Sequence, residues 1–272
     1  MVTFVPTPIG NLEDISKRAL TALLEAELIF CEDTRVTKKL LNLYNISLDK
    51  KFISMHSHNE DKVISILDKD ELINKKCVYV SDAGIPGISD PGSKLIQFCQ
   101  KNEIPYSVIP GANAALTAFV ASGFEGNFTF FGFLPHKGKE RQKALEEVLN
   151  HDKIAIIYES PHRIEKLITE LKSLIPKRTV FLAKELTKLH ETYIKTKAKD
   201  IDLKNTKGEW VIVIDKGEKN KKLELSYEEI SELPLPLKLK AKLLNKITDI
   251  STKELYKKLN EEKDNNEDYK NV

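Results

Sequence analysis

The feature that most constrains this chain is the regular alternation of short apolar runs with longer segments of helical period. "VTFVP", "LIFCE", "KFISM", "KCVYVS" and "PYSVI" read as strands. Between and after them come "SKRALTALLEA", "TRVTKKLLNLY", "EDKVISILDKDELI", "SKLIQFCQKN" and "ANAALTAFVAS", whose apolar residues recur at helical spacing. Such alternation predicts a largely parallel sheet covered on both faces. After a pause near Gly123 to Asn127 a second series opens with "FTFFGFL", followed by "KERQKALEEVLN", "KIAIIYE", "RIEKLITELKSLI" and "TVFLAKE". "ETYIKTK" and "EWVIVID" read as a strand pair added to that second sheet. The expected fold class is α/β, with one α/β domain over residues 1–122 and another over 124–217.

The remainder differs in kind. "GEKNKKLE" reads as a polar linker. Residues 226–260 are expected to form a small helical extension from "LPLPLKLKAKLLNKI" and "STKELYKKL", with Ser251 and Glu254 forming a capping box. The acidic, Asn-rich residues 261–272 are expected to be disordered.

At 272 residues and a formal charge of +2, the chain has room for sizeable cores and no global field that announces a nucleic-acid binder. "LPHKGKERQK" and "LKLKAKLLNK" are basic enough to meet phosphates, or are simply solvated faces of a lysine-rich chain. No apolar run approaches the length of a membrane span. "MVTFVPTPIG" lacks the charged-then-apolar pattern of a signal peptide, so the expected location is cytoplasmic. Cys31, Cys77 and Cys99 are odd in number and each sits in an apolar context, which predicts buried free thiols rather than a zinc site or a disulfide framework.

Three loops stand out because parallel α/β sheets bind ligands outside the carboxyl ends of their strands. They are "PTPIGN" after the first strand, "SDAGIPGISDPG" after "CVYVS", and "PGANAA" after "YSVI". Glycine lets backbone approach a ligand, and proline holds a loop open. The loops describe either a small-molecule pocket or a set of tight turns. None is a lysine-bearing phosphate loop, and no G-x-G-x-x-G follows the first strand, which disfavours nucleotide triphosphates and NAD.

Seven segments then carry a resemblance: "VPTPIGNLEDIS", "CEDTRVTKKLL", "HSHNE", "VSDAGIPGISDPG", "PGANAA", "YESPHRI" and "KELTKLHE", in that order. Together they resemble the tetrapyrrole-methylase fold family, in its ribosomal-RNA branch. The resemblance spans about residues 3 to 217, and the C-terminal segment is similar to that branch's extension. It implies two α/β domains with a ligand cleft between them, S-adenosylmethionine as cofactor, and 2′-O-methylation of a cytidine ribose in the decoding region of 16S rRNA. It further implies the small ribosomal subunit as partner and a homodimer. Carried over residue by residue, the cofactor positions are Pro8, Ile9, Asp82, Gly84, Ile85, Asn113, Ala114, Tyr158 and Leu186, with Glu209 and Trp210 behind them. "PTPIG" and "SDAG" stand where tetrapyrrole-modifying relatives carry Gly-x-Gly and Gly-Asp-Pro loops. A corrin or porphyrin methylase and a non-catalytic RNA-binding module are the competing readings.

A ribose hydroxyl is a poor nucleophile until its proton leaves, so a base or an orienting hydrogen bond is sought among polar clusters that no core needs. "CEDTR" offers Glu32, Asp33 and Arg35, and "MHSHNE" offers His56, His58 and Glu60, with His58 and Asn59 alternatively capping a helix. "YESPHR" offers Glu159, His162 and Arg163, or a helix start with Ser160 as its cap. "KELTKLHE" offers Lys184, Glu185, Thr187, Lys188 and His190. Arg35, His58, Glu60 and Lys188 are the expected acceptor-side residues, with no single base distinguished and no metal expected.

Overall fold

The computed structural model describes residues 1–217 and 225–268. The expected linker, apart from Gly217, and the last four positions of the acidic tail lie outside the described residues. The chain divides into two compact units, Met1–Glu218 and Lys219–Val272.

Within the first unit, β1 (Val2–Val5), β2 (Leu28–Cys31), β3 (Lys51–Ser54), β4 (Cys77–Val80) and β5 (Tyr106–Val108) pair in parallel in the order β3-β2-β4-β1-β5. The interior strands β1, β2 and β4 are buried along their whole length, as continuous apolar runs require. Helices α1 (Lys17–Glu25), α2 (Thr34–Leu43), α3 (Glu60–Ser65), α4 (Lys69–Asn74) and α5 (Ser93–Lys101) form the connections. Leu23 and Leu41 pack with Val5, Ile29 and Val80, whereas Leu72, Leu95 and Cys99 pack with Phe4, Phe30 and Tyr79. "EDKVISILDKDELI" is two helices rather than one. Asp68 accepts a hydrogen bond from Asp70 N and caps a new start, while Ile66, which a continuous amphipathic helix would bury, is 76% exposed.

The second sheet contains β6 (Phe128–Phe133), β7 (Ile154–Glu159), β8 (Thr179–Lys184), β9 (Thr192–Lys197) and β10 (Trp210–Ile214), ordered β6-β7-β10-β8-β9. The last two strands are therefore not a pair. β10 inserts antiparallel between β7 and β8, and β9 pairs with β8 at the edge. Composition explains the difference: "WVIVI" is buried at every position, whereas "TYIKTK" alternates and leaves one side in water. On one face lie α7 (Gly138–Asn150) and α8 (Ile164–Leu174), burying Leu145, Val148, Leu167 and Leu171. The other face receives α6 (Ala114–Ser122), whose Ala115 and Ala118 pack on Ile156, Phe181 and Val213. The last helix of the first series thus packs on the second sheet. All three cysteines are free and buried.

The second unit has its own small core of Ile230, Ala241, Leu244, Leu255 and Leu259, supplied by α9 (Tyr227–Glu232), α10 (Leu237–Leu244) and α11 (Thr252–Asp268). Helix α9, unforeseen from the sequence, starts at a reciprocal capping box between Ser226 and Glu229. Ser251 and Glu254 form the expected box before α11. Helix α11 continues through Asp268 where disorder was expected from residue 261; nothing in "NEEKDNNED" is a proline or glycine that would stop it. Among the described residues no helix is long and apolar enough to cross a membrane.

Candidate active site

Because β4, β1 and β5 are adjacent, the loops that leave their carboxyl ends are neighbours. Thr7 and Gly84 exchange backbone hydrogen bonds of 3.0 Å in both directions, joining the first loop to the second. Gly111 in the third loop lies directly against the Pro6 ring. The long loop Ser81–Gly92 is tied down at both ends. Ser81 Oγ donates to Gly84 O at 3.1 Å, and Gly92 N donates to Glu60 Oε1 at 2.9 Å. Gly92 sits at φ +127° with a Cβ position 3.0 Å from the Tyr79 ring, so a side chain there meets both a disfavoured backbone and an aromatic wall.

The second sheet supplies the opposite wall. Tyr158, at the end of β7, accepts a 3.1 Å hydrogen bond from Ala115 N at the first turn of α6, where Asn113 Oδ1 caps Leu116 N. Between the two sets of loops lies a cavity of about 280 Å³. Its apolar lining comes from Ile9, Ile85, Ala114, Phe133, Leu186 and Val211, and its titratable lining from Asp90, Tyr158, Glu159 and Glu209. Within that lining Glu159 is 1% exposed and held by Arg163 Nε at 2.7 Å and Arg141 at 3.4 Å. Arg141 is itself 2% exposed and also reaches Glu170 at 2.9 Å. Burial raises the carboxyls of Asp82 and Glu32, with Asp82 adding to the effect on Glu32. Burial, then the charges of Glu32 and Asp82, push Asp90 up to about 7.

A family model described as tetrapyrrole (corrin/porphyrin) methylases matches residues 1–202. The chain belongs to the tetrapyrrole methylase family. Among curated relatives of this methylase, a ribosomal RNA small subunit methyltransferase I of Campylobacter fetus subsp. fetus is 49% identical, covering 95% of this chain and 99% of the relative. The protein of the same name from Helicobacter pylori strain J99 is 42% identical, with 97% and 99% covered. Among solved structures the methyltransferase CobJ superposes with a TM-score of 0.59 at 18% identity, over 79% of this chain and 94% of that one. That likeness shows the fold.

Of the cofactor positions carried over from the sequence, Ile9, Gly84, Ile85, Asn113, Ala114, Tyr158 and Leu186 line the methylase cavity, as do Glu209 and Trp210. Pro8 and Asp82 lie outside its lining; Asp82 Oδ1 instead accepts from Asp33 N at 3.2 Å. None of the four expected acceptor-side residues lines it. Arg35 is turned to solvent, clasping Asp33 at 2.6 Å and holding that carboxyl down at about 2. His58 is exposed, and Glu60 is buried in its bond to Gly92. Asn59 does not cap α3 with its side chain, which accepts from His56 N instead. Lys188 bridges Glu185 at 3.0 Å and Glu209 at 2.8 Å; burial alone would lower its pKa, but these two bonds raise it and keep the ammonium charged. Ser160 opens a turn ahead of α8 rather than capping the helix, with Arg163 N and Ile164 N donating to its carbonyl.

Sequence reasoning missed Asp90, Phe133 and Val211 as lining residues. "SDPG" reads as turn chemistry, and the other two belong to strands whose apolar character already had an explanation.

Proposed function

We propose that this methylase transfers a methyl group from S-adenosylmethionine to the 2′-hydroxyl of a cytidine ribose in the decoding region of 16S rRNA. The observation that carries the reading is near-full-length similarity to a ribosomal RNA small subunit methyltransferase I, reaching 49% identity. The cavity is chemically suited to the donor. Its apolar walls match adenine and the carbons around a sulfonium. Ile9, Gly84, Ile85, Asn113, Ala114, Tyr158 and Leu186 would hold it, and when bound it supplies an electrophilic methyl carbon. Holding that carbon in line with the acceptor oxygen, away from water, is the main work left to the protein.

The acceptor is taken as the assembled small subunit, in the cytoplasm. Exposed Lys238, Lys242 and Lys246 in the C-terminal unit are suited to the phosphate backbone, whereas Lys240 donates to Ser231 O. Domains over 1–122 and 124–217 flank the cleft, with α6 as the connector, and 226–260 forms the extension. Homodimer formation is supported by the apolar side chains α6 leaves in water, Leu116 at 49% and Val120 at 78% exposure.

Labelled S-adenosylmethionine incubated with small subunits lacking the modification, followed by mapping of the label, tests the reading. Label on one decoding-region cytidine ribose is expected. Label on a base, or none on the subunit while the cofactor still binds, would discard the proposed acceptor.

A further inference from the structure

We propose that Asp90 is the general base of the methyl transfer, taking the proton from the acceptor ribose hydroxyl. The proposal rests on the ribose-methylation reading above and names the residue that reading lacks.

Elimination within the cavity leads to Asp90. Among the described residues four titratable side chains line the cavity: Asp90, Tyr158, Glu159 and Glu209. Glu159 is closed off by two arginines and its own neighbour Ser160 N. Glu209 is paired with Lys188 at 2.8 Å. The Tyr158 hydroxyl accepts from Ala115 N and is kept neutral by burial. Asp90 differs from all three: among the described residues no donor reaches its carboxylate. It is half-buried at the far end of the loop whose near end carries Gly84, so the constrained loop places one free proton acceptor on the wall of the cavity.

The charges around Asp90 suit that task. Glu32 from the end of β2 and Asp82 from the end of β4 face it with like charge, and the Tyr79 and Tyr158 hydroxyls lie within its field; among the described residues no cation offsets them. With its carboxyl pushed up to about 7, Asp90 is a far better base than a solvent-exposed aspartate and is still ionised above neutrality.

The step balances without further reagents. As the O2′–methyl bond forms, the O2′ proton passes to an Asp90 oxygen. The methyl carbon's bond to sulfur breaks with its electron pair left on sulfur, giving the neutral thioether S-adenosylhomocysteine. Asp90 later returns the proton to water.

The test compares wild-type, Asp90→Asn and Glu32→Gln proteins at full length. Single-turnover methylation of unmodified small subunits is expected to fall at least about 100-fold in Asp90→Asn, within the range for loss of a general base. Calorimetric affinity for S-adenosylhomocysteine is expected to stay within about twofold, because no bond to the product is lost. The wild-type rate should rise about tenfold per pH unit up to about pH 7 and then level; that limb should vanish in Asp90→Asn and move to lower pH in Glu32→Gln.

Thermal unfolding gives a readout independent of activity. A carboxyl raised in the folded state favours folding below the unfolded value and loses that advantage as pH rises through about 7. Asp90→Asn should therefore melt higher than wild type at pH 8, with the gap closing towards pH 4. Full turnover in Asp90→Asn, lost product binding, a limb that Glu32→Gln leaves in place, or equal melting at pH 8 would each overturn the proposal. Wild-type protein that labels no subunit would instead refute the acceptor, and with it the role assigned to Asp90.

Discussion

Gly10 has no special dihedral, yet a Cβ there would lie 2.5 Å from Lys188 Cγ and 2.8 Å from Leu186 O. The loop after β1 and the loop after β8 touch at this point, reinforced by Asn11 N donating to Thr187 Oγ1 at 3.0 Å. Gly10→Val should push Leu186 off the cavity wall. A loss of about 1–3 kcal/mol from overpacking is expected, together with at least a tenfold weaker dissociation constant for S-adenosylhomocysteine, read by calorimetry. Glu159→Gln acts within the lining. It leaves Arg163 and half of Arg141 without a charged partner in a buried site, and should cost about 3 kcal/mol, seen as a lower melting temperature. Neither effect is legible in the sequence. "PIGN" announces a loop that approaches something, but not that the something is residue 188. "YESPHR" shows an acidic residue beside an arginine and gives no sign of Arg141, which arrives from a helix that reads as an ordinary amphipathic surface element.

Element identity was the legible level, because period and composition are local properties. Strands β1, β2, β4, β7, β8 and β10 announce themselves as apolar runs, and the helices between them as stripes of 3.6-residue period. Order was not legible, because pairing is decided by partners far along the chain. The place of β10 between β7 and β8 had a trace in its unbroken apolar run, "WVIVI", which an added edge strand would not carry. That position makes a contrast testable by denaturant unfolding. Ile212→Ala, at the fully buried centre of β10, should lose about 2–5 kcal/mol, whereas Thr196→Ala, on the half-exposed edge strand β9, should stay within about 0.5 kcal/mol of wild type.

At the scale of the whole molecule, Met1–Glu218 contains both sheets, all of the cavity lining and four of the five apolar clusters among the described residues. A chain ended after Glu218 should fold, and should bind S-adenosylhomocysteine with an unchanged dissociation constant. If the C-terminal lysines meet phosphate, the same truncation weakens small-subunit binding and flattens its dependence on salt. Filter binding across a salt series separates that outcome from a merely solvated face. Order of synthesis adds a consequence of the β10 insertion. A ribosome that has made β7 and β8 has produced two strands with no neighbour between them, each presenting open edges to other nascent chains. The gap closes when Trp210–Ile214 emerges, and the same strand brings Trp210 and Val211 to the cavity wall. Every shorter translation product therefore lacks both a closed second sheet and a complete pocket. A closed second sheet and competence to bind the methyl donor arrive with one strand.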